Sequence, residues 1–278
     1  MLVCWLRDKD DGRLVSMSME EGWIISMEEI AKTRARFANL CYGAYDGDEL
    51  IGGVTGYLHE KSAWIGNLII KSDFRGRGIG RKLLETILKA LSTERRIIYL
   101  HSAMNATKFY EKLGFKAVTD VVRYRYEANE HCEKEKSFLA EYQRSDTRAI
   151  LQTFDRNFFA EDRTEFLLED MSSKSSLFLS CQNGFCHSKA VGKDIVIGAW
   201  EMVGGAYLDA EKMLRTTISI RGQKNIYADL PENNLDVKAI YENYGFKQVG
   251  KTRVMALGEP LKVKYENIFA FASLGSKG

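Results

Sequence analysis

From Arg75 to Arg81 the chain reads Arg-Gly-Arg-Gly-Ile-Gly-Arg. Glycines at this spacing let a backbone turn tightly and approach a ligand with no Cβ in the way. The apolar run Ala63–Ile70 precedes the segment, and Leu83, Leu84, Ile87, Leu88 and Leu91 follow it at helical spacing. It therefore joins a strand to a helix, whose first amides point outward and attract anions. Arg75, Arg77, Arg81 and Lys82 add positive charge. The segment reads as a pyrophosphate cradle built by Arg75, Gly76, Arg77, Gly78, Ile79, Gly80 and Arg81; a solvated basic loop capping a helix is the plain alternative. Spacing separates the known cradles. A P-loop needs Gly-Lys-Ser/Thr, which is absent. A dinucleotide fingerprint after Gly76 and Gly78 needs a third glycine where Arg81 stands. The pattern that fits is Arg-x-x-Gly-x-Gly, at Arg75, Gly78 and Gly80.

A second motif lies about 30 residues on, beyond an apolar strand at Ile97–Leu100: Ala106-x-x-x-Tyr110-x-x-x-Gly114-Phe115. Residues 106–118 recur at 237–249, with six of thirteen positions identical, among them Tyr110/Tyr241 and Gly-Phe-Lys. The offset of 131 (241 − 110) is close to half of the 278-residue chain. Both halves show strands, a helix, a strand and a helix in one order, so two copies of one α/β fold are expected.

Loop and tyrosine helix, in this order, resemble the GNAT acyltransferases, and the match is closer still to a tandem subgroup with a degenerate second acetyltransferase-like half. Glu21-Gly22-Trp23, Ala63-Trp64-Ile65-Gly66, Asp155-x-x-x-Phe159-Ala160-x-x-Arg163 and Asp194–Gly198 carry the closer match. The resemblance implies an α/β (α+β) chain of two GNAT-like domains, each a mixed, mostly antiparallel sheet flanked by helices. Residues 1–130 would form the acetyl-CoA-binding domain, 131–138 a charged linker and 139–278 the degenerate domain. The implied cofactor is acetyl-CoA, bound by Leu68, Ile69, Ile70, the cradle and Asn105. Amide N–H groups near Leu68 would polarise the thioester, and Tyr110 would lie beside its sulfur. Many members carry Asn seven residues before the tyrosine; here that position is Ala103, and the nearest amide is Asn105.

The implied reaction moves an acetyl group to a primary amine, of a small molecule or a protein, by direct attack in a ternary complex. The amine must lose a proton, yet Ala63–Ile70 carries no acid. His59 and Glu60, at the preceding turn, are the candidate bases. A coenzyme-A-binding regulator without catalysis is the alternative. The second half has no cradle: Met202–Tyr207 contains Gly204 and Gly205, but no arginine comes before Arg215. One coenzyme site per chain is expected, with Tyr241 structural.

Composition sets the remaining bounds. A formal net charge of +2 argues against a nucleic-acid partner. Five irregularly spaced cysteines suit a reduced, cytoplasmic or nuclear protein. Cys181, Cys186 and His187 have no second pair at zinc-ligand spacing, so no metal is expected. The apolar stretch Leu2–Leu6 is too short for a signal peptide, and no run reaches the ~18 residues of a membrane span. A monomer or homodimer is expected.

Overall fold

The computed structural model describes residues 1–92, 96–129, 146–275 and 277–278. The first half runs β1 (Leu2–Trp5), α1 (Asp11–Glu20), α2 (Met27–Arg36), β2 (Cys41–Asp46), β3 (Glu49–Leu58), β4 (Ser62–Ile70), α3 (Ile79–Leu91), β5 (Ile97–Ala103), α4 (Thr107–Glu111) and β6 (Lys116–Tyr126). The second repeats this order from α1 onward: α5 (Thr147–Phe159), α6 (Thr164–Met171), β7 (Leu177–Cys181), β8 (Gly184–Val191), β9 (Asp194–Met202), α7 (Tyr207–Arg221), β10 (Ile226–Pro231), α8 (Leu235–Asn243), β11 (Lys247–Leu257) and, as an addition, β12 (Ile268–Ala270). The charged linker expected at 131–138 lies outside the described residues.

The twelve strands of the described residues join one sheet in the order β1-β2-β3-β4-β5-β11-β6-β10-β9-β8-β7, with β12 on β9. Leaving out β1, the order is symmetric about the β11–β6 pair, and it exchanges the last strand of each half. β11 pairs with β5 from Thr252↔Ala103 to Leu257↔Ile98. β6 pairs with β10 from Ile226↔Tyr126 to Pro231↔Val121. Only β4–β5 and β9–β10 are parallel; every other pair is antiparallel.

Both parallel pairs are short. β4 and β5 stay together only from Ser62↔Ile97 to Ile65↔Leu100. β9 and β10 do so only from Ile195↔Ile226 to Ile197↔Ala228. Beyond these points the strands part, and each leaving strand carries a bulge. On β4 the interval Gly66–Ile69 opposes the shorter Gly53–Thr55. On β9 the interval Ile197–Trp200 opposes Cys186–Ser188. A bulge bends its strand and increases twist, which opens the gap beside it.

Burial follows the strand alternation. Ala63 and Ile65 of β4 pack with Leu83, Leu84 and Ile87 of α3. On the opposite face Trp64, with Tyr57 and Tyr99, packs against Leu151, Phe158 and Phe166 of α5 and α6. Helices of the second half thus cover a face of the first half's strands. α1 closes the same face further along, placing Leu14 and Met17 with Cys41, Tyr45 and Ile69.

Candidate active site

A cleft of about 570 Å³ opens where β4 leaves β5. Its first wall is the bulged stretch Gly66–Ile70. Asn67 stands there at φ 54°, and its Nδ2 donates to Thr55 Oγ1 at 2.8 Å. Leu68, Ile69 and Ile70 therefore line the cleft with backbone that has left its β5 partner.

Arg75 and Gly80 bring the basic loop to the same cleft. Gly76 and Gly78 hold φ values of 74° and 76°, a left-handed conformation that costs other residues energy. Gly78 is the N-cap of α3 and offers no side chain to the first-turn amides. A Cβ at Gly76 or Gly78 would meet nothing within 4 Å, so space lies in front of both. Uncapped amides, open space and a helix dipole form an anion seat. Ile79 contributes only its backbone, because its side chain is buried against α3's own core. The charges around the seat are partly engaged. Arg75 donates to the Ile70 carbonyl at 2.9 Å and pairs with Glu21 at 2.6 Å. Arg77 donates to the Asp73 carbonyl, and Arg81 pairs with Glu85 along the helix.

Asn105 and Tyr110 line the opposite wall. Tyr110 rests edge-on against Phe109 and Phe115. Its hydroxyl has no hydrogen-bond partner among the described residues, and burial pushes its pKa up to about 12.

The structure does not bring His59 and Glu60 to this cleft, contrary to the expectation for a base. The β3–β4 turn lies at the end of β4 away from the bulge. His59 is buried beside Tyr57 and Phe166, with Nε2 bonded to the Lys277 carbonyl at 2.8 Å. Burial drives its pKa down to about 3. Exposed Glu60 accepts the Asp162 amide at 2.9 Å.

Other residues complete the cleft. His101, at the end of β5, lines it. Its Nδ1 is 3.4 Å from Thr252 Oγ1, Nε2 is buried without a partner, and burial lowers its pKa to about 4. Trp23 and Glu29 come from the α1–α2 region. Lys189, Arg123, Thr252 and the segment Ala272–Gly275 with Lys277 supply the far wall. Local signals mark part of this lining: Trp23 falls in the Glu21-Gly22-Trp23 stretch, His101 lies at the end of the apolar strand before the tyrosine helix, and Ser26 with Glu29 forms a capping box that starts α2. Arg123, Lys189, Thr252 and Ala272–Gly275 reach the cleft through contacts between the halves, which no local pattern announces.

The equivalent gap in the second half is filled. β12 pairs with β9 at Glu201 and Trp200, and the Phe271 amide donates to the Asp229 carbonyl of β10 at 2.8 Å. The Tyr241 hydroxyl donates to the Phe269 carbonyl at 3.3 Å. His187 donates from Nδ1 to the carbonyl of Gly198 in the bulge, at 2.7 Å. A chain segment thus stands where the first half keeps open space. Among the described residues no group of three His, Cys, Asp or Glu side chains could hold a metal. No helix of the described residues is long and apolar enough to cross a membrane.

A splayed parallel pair beside a bulge, leading to a glycine-started helix, defines an acyltransferase fold that works on thioesters of coenzyme A. The chain belongs to the GNAT acetyltransferases, as two such domains in tandem: the acetyltransferase (GNAT) family models match residues 38–117 and 151–270. It is an N-acetyltransferase of that family. Solved structures repeat the fold over the whole chain. A protein assigned as an acetyltransferase from Pyrococcus horikoshii is 20% identical with a TM-score of 0.80, covering 100% of this chain and 95% of that one. A GCN5-related N-acetyltransferase from Sphaerobacter thermophilus is 13% identical with a TM-score of 0.66, covering 94% and 98%. No curated protein matches the sequence.

Proposed function

We propose that the first-half cleft transfers an acetyl group from acetyl-CoA to a primary amine by direct attack in a ternary complex. The observation that carries this is the contrast between halves: one splay is open onto an uncapped helix start and a free tyrosine, while the other is closed by β12. Bound acetyl-CoA supplies the activated acyl carbon and a thiolate leaving group. The amides of Gly78–Arg81 hold its pyrophosphate, with charge from Arg75, Arg77 and Arg81. The pantetheine arm follows Leu68, Ile69 and Ile70, with Asn105 across from it. An N–H near Leu68, freed from β5, stabilises the developing oxyanion.

The C–N bond forms as the C–S bond breaks, and the amine sheds one proton while the sulfur gains negative charge. His101 is the residue we assign to accept that proton. In the tautomer with hydrogen on Nδ1, toward Thr252 Oγ1, the neutral ring would offer a lone pair on Nε2. Tyr110 donates a hydrogen bond to the departing sulfur. Full proton transfer from a phenol at about 12 to a thiolate at about 8.5 is uphill by about 5 kcal/mol, so the hydrogen bond is the contribution.

The test is thiol release from acetyl-CoA with a panel of primary amines, alongside calorimetric titration of the coenzyme. Release with at least one amine and one equivalent bound per chain are expected. Two equivalents would contradict the closure of the second splay; binding without release for any amine would leave a coenzyme-binding regulator.

A further inference from the structure

Beside the cleft, α2 and α6 bring four carboxylates to one narrow recess: Glu28, Glu29, Glu169 and Asp170. Their partners can be matched one by one. Lys32 takes Glu28 at 2.7 Å, and Arg36 takes Glu169 at 2.7 Å. Lys189 bridges the other two, at 3.0 Å to Glu29 and 2.5 Å to Asp170. One ammonium thus faces two carboxylates, and one negative charge is left over. Into this recess the tail segment inserts Lys277, which is only 7% exposed. Its ammonium stands 5.8 Å from the centre of the Tyr57 ring and closes no ion pair among the described residues. An aromatic face beside a carboxylate whose balancing charge comes from Lys277 alone is cation-binding chemistry. The recess adjoins the open cleft, which Glu29, Lys189 and Lys277 also line.

Resting on the acetyl-transfer reading, we propose that Lys277 holds the seat of a second positive charge on the acceptor, and that the acceptor is an aliphatic diamine or polyamine. One amine would react at the splay of β4 and β5 while the distal ammonium displaces Lys277 and neutralises the leftover charge. Withdrawal of Lys277 breaks the polar ties that hold its segment near the recess. Arg123 donates to the Leu274 carbonyl at 3.2 Å, the Lys277 amide donates to Ser273 Oγ at 2.9 Å, and His59 contacts the Lys277 carbonyl. Once withdrawn, the lysine regains water around its charge, which burial had removed. A monoamine has no group to exchange for Lys277 and gains nothing from the recess.

The experiment is calorimetric binding of 1,4-diaminobutane and of n-butylamine to the full chain saturated with coenzyme A. Lys277→Met should raise the affinity ratio, diamine over monoamine, by about fivefold or more, the scale of one partly buried charge contact. Adding Asp170→Asn should abolish that gain. Lys277→Gln serves as a second neutral replacement should the Met variant not fold. An unchanged or lowered ratio, or a gain that survives Asp170→Asn, would overturn the proposal. Because binding is read directly, the outcome is separate from catalysis: absence of thiol release with every amine would refute acetyl transfer and leave the charge seat to be judged on the ratio alone.

Discussion

Tyr110 and Tyr241 occupy equivalent places in the repeated helix, yet their hydroxyls meet different surroundings. Tyr110 lines an open cleft; Tyr241 donates to β12 in a closed core. Tyr110→Phe is expected to lower kcat by about tenfold or more while coenzyme affinity changes little, because its hydrogen bond strengthens as the sulfur gains charge. Tyr241→Phe should leave turnover within about twofold and cost about 1 kcal/mol of stability, since it orphans a buried carbonyl. Steady-state kinetics and thermal denaturation of both variants check this, and the reverse pattern would assign chemistry to the wrong half. Histidines give a second expectation. Burial lowers His59 to about 3 and His187 to about 4, against about 6.5 unfolded. Between these limits the unfolded chain binds protons that the folded chain refuses. Their contribution is therefore intact above about pH 6.5 and is lost as pH falls toward 4, at up to about 1.4 kcal/mol per pH unit for each. Urea midpoints at pH 7.5 and 5.0 should show a clear loss at the lower value; equal midpoints would contradict it.

The bulges of β4 and β9 show one element put to two uses. Beside Asn67 the gap stays open, whereas beside Gly198 the β12 segment comes so close that an added Cβ would lie 2.0 Å from the Phe271 carbonyl oxygen. Gly198→Ala should therefore cost about 3 kcal/mol, visible as a lowered Tm, because backbone on both sides resists displacement. At the start of α3, Gly78→Asp is expected to abolish coenzyme binding by setting a carboxylate against the anion seat. Gly78→Ala separates charge from backbone strain: it shares the cost of φ 76° but should retain weakened binding. Unchanged affinity in a folded Gly78→Asp protein would remove the cradle assignment.

Strand exchange governs the whole molecule. β5 has β11 as its neighbour on one side, and β6 lies between two strands of the second half. A fragment spanning Met1 to about Glu130 would expose the β5 edge and leave β6 without its partners. It should be poorly soluble and inactive, since unpaired edges invite aggregation. It would also lack Lys189, Thr252 and the tail that wall the cleft. Expression of that fragment, with thiol release compared against the full chain, tests this. A soluble fragment with full activity would show that the second half neither completes the sheet nor shapes the acceptor side.

The sequence by itself determined the repeat, the basic glycine loop on a strand–helix joint and the tyrosine helix, because each is a local pattern whose chemistry needs only neighbouring residues. It also marked the second half as lacking a cradle. It did not reveal α1 and α2: α2 buries only Ile30 and Thr33, so no apolar stripe betrays it. Tertiary structure alone decided which strands are neighbours, and with that the composition of the cleft. Pairing of β11 with β5 sets Thr252 beside His101, and the folded-back tail sets Lys277 among carboxylates from α2 and α6. It also set His59 and Glu60 apart from the cleft, at the turn on the end of β4 away from its bulge. These are contacts across 100 residues or more of sequence; periodicity reports which face of an element is buried, not what it is buried against.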